Sequence, residues 1–131
     1  MTGRHTPKSY IVKADKALSA ARLLVKAENA DGACNRAYYA MFDAAHAALF
    51  ALGVEELTKP IKTHSGLITK FGQEVVLTGH LPAQYGEHLN RAEDLRRLAD
   101  YGDDSVELAD AALSVERAEA FVAAVKKKFR L

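Results

Sequence analysis

The sequence predicts an all-α protein, an up-and-down antiparallel bundle of five helices. Three observations predict it. Apolar residues recur at spacings of three and four along most of the chain, and no stretch alternates as a strand. Gly, Asn, Asp and Pro fall between the periodic stretches, where they break helices. The chain has 131 residues, 49% of them hydrophobic, which suits one core and one domain, 1–131. Much of that apolar share is Ala, so the helices should approach one another closely.

The first helix should follow Pro7, a favoured early position, with Ile11, Ala14, Leu18, Ala21 and Val25 as its stripe. It ends near "AENADG". The second, "DGACNRAYYAMFDAAHAALFAL", covers about Asp31 to Leu52 and stops at Gly53. It is apolar almost all round, which marks the central helix. A loop with Lys59-Pro60 follows. The third starts near "KTHSG", capped by Thr63 or Ser65, buries Leu67 or Ile68 with Phe71 and Val75, and closes at Gly79 and Pro82. The fourth runs from about Ala83 to Tyr101 on a stripe of Tyr85, Leu89, Ala92, Leu95 and Ala99, with Gly102 as its stop. The fifth opens at Asp104 or Ser105. Leu108, Ala111, Val115, Ala118, Val122, Val125 and Phe129 then give the cleanest periodicity in the sequence, and Lys126, Lys127, Lys128 and Arg130 complement the helix dipole.

Composition narrows the function classes. A net charge of +1 lacks the basic excess of a non-specific duplex binder, and leaves room for a local nucleic-acid site. The single cysteine, Cys34, rules out an internal disulfide and reads as a packed residue. "MTGRHTPKSY" has no signal-peptide core, and no run reaches the ~20 apolar residues that span a bilayer. The expectation is a soluble cytoplasmic protein without a membrane partner. There is no HExxH, no P-loop, no Gly-x-Gly-x-x-Gly and no Gly-x-Ser-x-Gly, so neither a metal site nor a cofactor is expected.

Polar residues interrupt two apolar helices. Stepping about 100° per residue, Asn35, His46, Tyr39, Asp43 and Arg36 share one narrow arc of the second helix. That arc is either its solvent edge or a polar cleft or interface, because buried polar groups need partners. In the fourth helix, "RRLADY" separates its two arginines. Arg97 points outward beside Glu93, an i,i+4 surface pair. Arg96 lies within the apolar stripe, one turn from Asp100. Either Arg96 and Asp100 form a structural ion pair that braces the helix end, or Asp100 orients Arg96 toward a phosphate. His64 opens the third helix, where backbone N–H groups favour an anion. His80 and His88 read as surface or partly packed, and His5 as part of a loose terminus.

"NRAYYAMFDAAHAAL" (35–49), "THSGL" (63–67) and "RRLADY" (96–101), in that order, resemble the HEPN family, the higher eukaryotes and prokaryotes nucleotide-binding domain, in its small stand-alone prokaryotic branch. The resemblance runs from about Ser9 to Phe129. It implies a HEPN-like four-helix core plus one helix, commonly a homodimer, and a partnership with a minimal nucleotidyltransferase in a toxin–antitoxin pair. It also implies an RNA or nucleotide ligand. Active members are metal-independent endoribonucleases whose Arg, followed four to six residues later by a His, serves the scissile phosphate and the proton transfer. Here Arg96 takes the Arg position and Tyr101 stands in place of the His. A phenol of ordinary pKa ~10 is a poor base at neutral pH. The resemblance therefore makes Arg96, Asp100 and Tyr101 the candidate catalytic group, with Arg36, Tyr39, Asp43, His46 and His64 lining the cleft. The missing His counts against cleavage. The alternative is a non-catalytic nucleotide-binding or dimeric interaction module.

Overall fold

The computed structural model describes residues 6–54 and 61–131. His5 and the Lys59-Pro60 loop lie outside them. Among the described residues there are five α-helices and no strand: α1 Pro7–Lys26, α2 Ala30–Ala51, α3 His64–Phe71, α4 Ala83–Tyr101 and α5 Leu108–Phe129. No helix among them is long and apolar enough to cross a membrane.

Local chemistry sets the helix starts. Thr6 and Ser9 cap α1 reciprocally: Ser9 N–H donates to Thr6 Oγ1 at 3.0 Å and Thr6 N–H to Ser9 Oγ at 2.8 Å. Asn29 Oδ1 accepts from Gly32 N–H at 2.9 Å and opens α2. Thr63 Oγ1 does the same for α3 through Gly66 N–H at 3.0 Å. A Cβ on Gly66 would sit 2.5 Å from that oxygen, so the "THSG" start depends on the glycine. After α3 the chain widens into a π-turn, Gly72–Val76, before the break at Gly79.

The central helix is α2. It packs against α1, α3, α4 and α5. Tyr38, Met41 and Leu49 on it are fully buried, as are Leu67 and Phe71 from α3, Leu89 from α4 and Phe121 and Val125 from α5. The alanines between them let neighbouring helices come close. The expected stripes of α1, α4 and α5 are the buried faces, with Val25, Tyr85, Ala99, Leu108 and Phe129 at their half-buried ends.

One expectation about the α4–α5 junction fails. The fifth helix begins at Leu108, not at Asp104 or Ser105. The reason is a tertiary bond: Val106 N–H donates to Asp31 Oδ1 at 2.9 Å, which straps residues 103–107 across the first turn of α2. Gly102 ends α4 without the left-handed turn of a usual glycine stop, at φ −77° and ψ 159°. Its role is spatial. A Cβ there would lie 2.5 Å from the Leu98 carbonyl oxygen, which accepts the Gly102 N–H at 2.8 Å.

Candidate functional site

Arg96 is 8% exposed, turned inward as its place in the apolar stripe predicts. Its guanidinium binds two carboxylates from its own helix. Nε donates to Glu93 Oε1 at 3.1 Å and Nη1 to Asp100 Oδ2 at 3.1 Å, while Nη2 closes a second bond to Glu93 Oε1. Glu93 is 9% exposed. It is thus the buried partner of Arg96 and not the surface partner of Arg97, which corrects the expected i,i+4 pair. Burial disfavours the Arg96 charge, but the bonds and charge of Glu93 outweigh it and hold the guanidinium more firmly protonated than usual. The Arg96 head also lies 5.2 Å from the centre of the Tyr38 ring.

The network extends to α2 and α3. Asn35 Nδ2 donates to both Asp100 oxygens, at 3.4 and 3.3 Å. Arg36 Nε and Nη2 donate to Asn35 Oδ1 at 3.0 and 2.9 Å, and the Arg36 head lies 5.1 Å from the Tyr39 ring centre. On the other side of Arg96, Tyr38 Oη and His64 Nδ1 are 2.7 Å apart. Glu93 Oε2 lies 3.6 Å from the same nitrogen and has no hydrogen-bond partner among the described residues. Burial, then the negative Glu93, raise the Tyr38 phenol above its ordinary value, so it stays protonated. A neutral phenol can donate to Nδ1 or accept from it, so either tautomer of His64 is supported. His64 keeps a side-chain exposure of 41%. With Ser65, Asn90, Glu93, Arg96 and Arg97 it borders a groove of about 490 Å³ between α3 and α4.

The structure therefore joins Arg96, Asp100, Arg36, Tyr39 and His64 in one run of contacts, through Asn35, Glu93 and Tyr38. It does not bring Tyr101 to Arg96. Tyr101 is 79% exposed and borders a neighbouring open depression, which shares Asp94 and Arg97 with the groove. The polar arc of α2 is not a solvent edge either. Asp43 and His46 are buried, at 8% and 5%. His46 stacks on Tyr10 of α1 with ring centres 4.7 Å apart and planes 9° apart, and lies nearly perpendicular to the Phe42 ring at 4.7 Å. Phe42 in turn touches the His64 ring at 4.9 Å, so one phenylalanine separates the two histidines. Among the described residues no group of His, Cys, Asp or Glu could hold a metal ion.

Sequence reasoning missed Glu93 and Tyr38. Glu93 stands three residues before Arg96, a spacing at which helical side chains meet. Tyr38 is a phenol inside an otherwise apolar segment, and a buried hydroxyl ordinarily has a partner.

Known proteins resemble the chain over most of its length. The HEPN domain model matches residues 8–128. The chain is 42% identical over 90 residues to the UPF0332 protein glr0978 of Gloeobacter violaceus, covering 69% of this chain and 68% of that protein. It is 34% identical over 117 residues to a UPF0332 protein of Thermotoga maritima, covering 88% and 84%. It is also 34% identical over 129 residues, 97% and 91% of the two chains, to a Methanocaldococcus jannaschii protein named "Putative toxin MJ0605".

Proposed function

Because this chain belongs to the HEPN domain family, we propose that it is the toxin-like member of a pair completed by a minimal nucleotidyltransferase, and that it binds a phosphate of RNA or of a nucleotide in the groove between α3 and α4. One observation carries the reading: His64, a half-exposed imidazole on the groove, is held from behind by Tyr38 and Glu93 beside the buried Arg96. A histidine with Nδ1 held this way presents Nε2 for proton transfer. The first turn of α3, a helix start of the kind that favours an anion, and Arg97 lie on the same rim. In a metal-independent cleavage His64 would take the proton of the 2′-OH as its oxygen bonds to phosphorus, filling the role that Tyr101 cannot; the P–O5′ bond breaks to leave a 2′,3′-cyclic phosphate, and the departing 5′-oxygen takes a proton from water. Arg96 would fix the geometry through Glu93 and not touch the phosphate. The reading takes residues 1–131 as one cytoplasmic domain that works as a homodimer.

The test pairs activity with binding. Purified protein should cleave RNA in the presence of EDTA, arrest growth when expressed without its neighbour, and lose both effects in His64→Ala while remaining folded. Intact RNA with the wild-type chain and harmless expression would sink the toxin reading. A second reading has its own support: Arg96 is already neutralised by two carboxylates, as in a structural lock. That reading makes the chain a non-catalytic nucleotide-binding or interaction module. It predicts nucleotide binding that His64→Ala weakens, with no cleavage by any variant.

A further inference from the structure

A second site lies on the opposite face of α4. Stepping about 100° per residue, His88, Arg91 and Leu95 fall on one side of that helix and Arg97 on the other. His88, Arg91 and Leu95, with Asp110, Ser114 and Arg117 of α5 and Met41 of α2 beneath them, enclose a cavity of about 90 Å³. The floor is closed, with Met41 at 0%, Ala92 at 2% and Ser114 at 4% exposure. Neither Arg91 nor Arg117 makes an ion pair or hydrogen bond among the described residues, although Asp110 is in the same wall. His88 Nδ1 is buried and lacks a hydrogen-bond partner.

We propose that this cavity is an oxyanion site, in which Arg91, Arg117, His88 and Ser114 hold one phosphate group. Two guanidiniums face a single carboxylate, so the lining has a positive excess, and planar Arg forks suit tetrahedral oxyanions. The volume sets the size of the ligand. It is far below the ~300 Å³ at which small-molecule pockets begin, and equals the share of about three waters. A phosphate group fits and a nucleoside does not. The ligand is thus inorganic phosphate, or the phosphate end of a nucleotide whose remainder stays in solvent past the 42%-exposed Leu113. His88 reports occupancy. Burial, then the charge of Arg117, hold its pKa below the usual value, against the opposing Glu87. Arg91 stands beside it on α4 and Asp110 faces it from α5, while α2 adds only Met41. A bound anion shields His88 from Arg117 and raises its pKa.

The test titrates the full chain with inorganic phosphate, with sodium chloride at matched ionic strength as reference. Calorimetry should show saturable phosphate binding, weakened about tenfold or more by Arg117→Gln and by Arg91→Gln, and tightened by Asp110→Asn. Arg97→Ala, in the groove across α4, should leave the phosphate response of His88 unchanged, which separates this site from the RNA or nucleotide site proposed above. NMR titration of His88 in the wild-type chain should show an upward pKa shift with phosphate, a readout that needs no variant to fold. AMP binding as phosphate does, with adenosine silent, would identify a nucleotide phosphate as a competent source; phosphate alone would identify the free ion. No saturable effect beyond chloride, binding insensitive to both Arg variants, a His88 response lost in Arg97→Ala, or an adenosine response without a phosphate response would each overturn the proposal.

Discussion

Removing Arg96 should damage the fold before it reveals anything about chemistry. Arg96→Ala deletes the bonds to Glu93 and Asp100 and leaves the Glu93 carboxylate, 9% exposed, without the guanidinium bonded to it. Breaking a buried pair by removing one partner costs ~3–5 kcal/mol, because the remaining charge stays desolvated. For a chain of this length that lowers the melting midpoint by about 10–20 °C. Asp100 differs: its side chain is 29% exposed, so Asp100→Asn should cost only ~1 kcal/mol. Exchanging the pair for apolar residues of similar size, Arg96→Met with Glu93→Leu, should recover most of the loss, since the double change removes both charges together. Urea unfolding of the four proteins completes the comparison. An Arg96→Ala variant within about 1 kcal/mol of wild type, or a double variant no better than the single one, would refute the assignment of Arg96 and Glu93 as a buried lock. A loss of toxicity in Arg96→Ala can be assigned to the site only in protein shown to be folded.

Two further outcomes follow from the geometry. Burial, and secondarily Asp31 and Asp110, push the Cys34 thiol from 9.0 up to about 11. It should resist alkylation at pH 8 in the folded protein and react at once in urea. Because the folded value is the higher one, this stabilisation is complete below pH 9 and declines as pH rises through about 11, by on the order of 2 kcal/mol; Cys34→Ala should remove that alkaline slope from unfolding curves. Gly66→Ala should fail to give the ~1 kcal/mol that Gly→Ala usually adds within a helix, because the new Cβ displaces Thr63 Oγ1 from its cap. Amide exchange at the start of α3 should speed up and the His64 resonances should move; a stabilised variant with an unchanged His64 would contradict the cap.

Helix identity was legible because periodicity reports burial directly, and α2 and α4 end within a residue or so of where their breakers stand. The start of α5 was not legible. Asp104 and Ser105 are sound local start signals, and a bond from Val106 to Asp31, 75 residues away, overrides them. The inward turn of Arg96 and its reach to Asp100 were readable from spacing. The pairing of Glu93 was misassigned because two arginines follow it at i,i+3 and i,i+4, and only burial of the carboxylate chooses between them. His64 reached the group through the way α3 lies against α2 and α4, which no pattern along one helix encodes. The polar arc of α2 was legible as an arc. That its far end stacks on Tyr10 while its near end meets Asp100 depends on which helix flanks each turn.

The alanines of α2 have a consequence for anyone who would modify this protein. Ala33, Ala37, Ala40, Ala44, Ala45, Ala47 and Ala48 have no exposed surface, and a larger side chain in a packed interior costs ~1–3 kcal/mol. α2 is therefore the segment with the least mutational latitude, and library diversity directed there would be spent on unfolded variants. Spectroscopic labels, affinity handles and crosslinkers belong on the outer faces of α1 and α5, at positions such as Lys16 and Lys127, where the backbone is helical and the side chains are exposed.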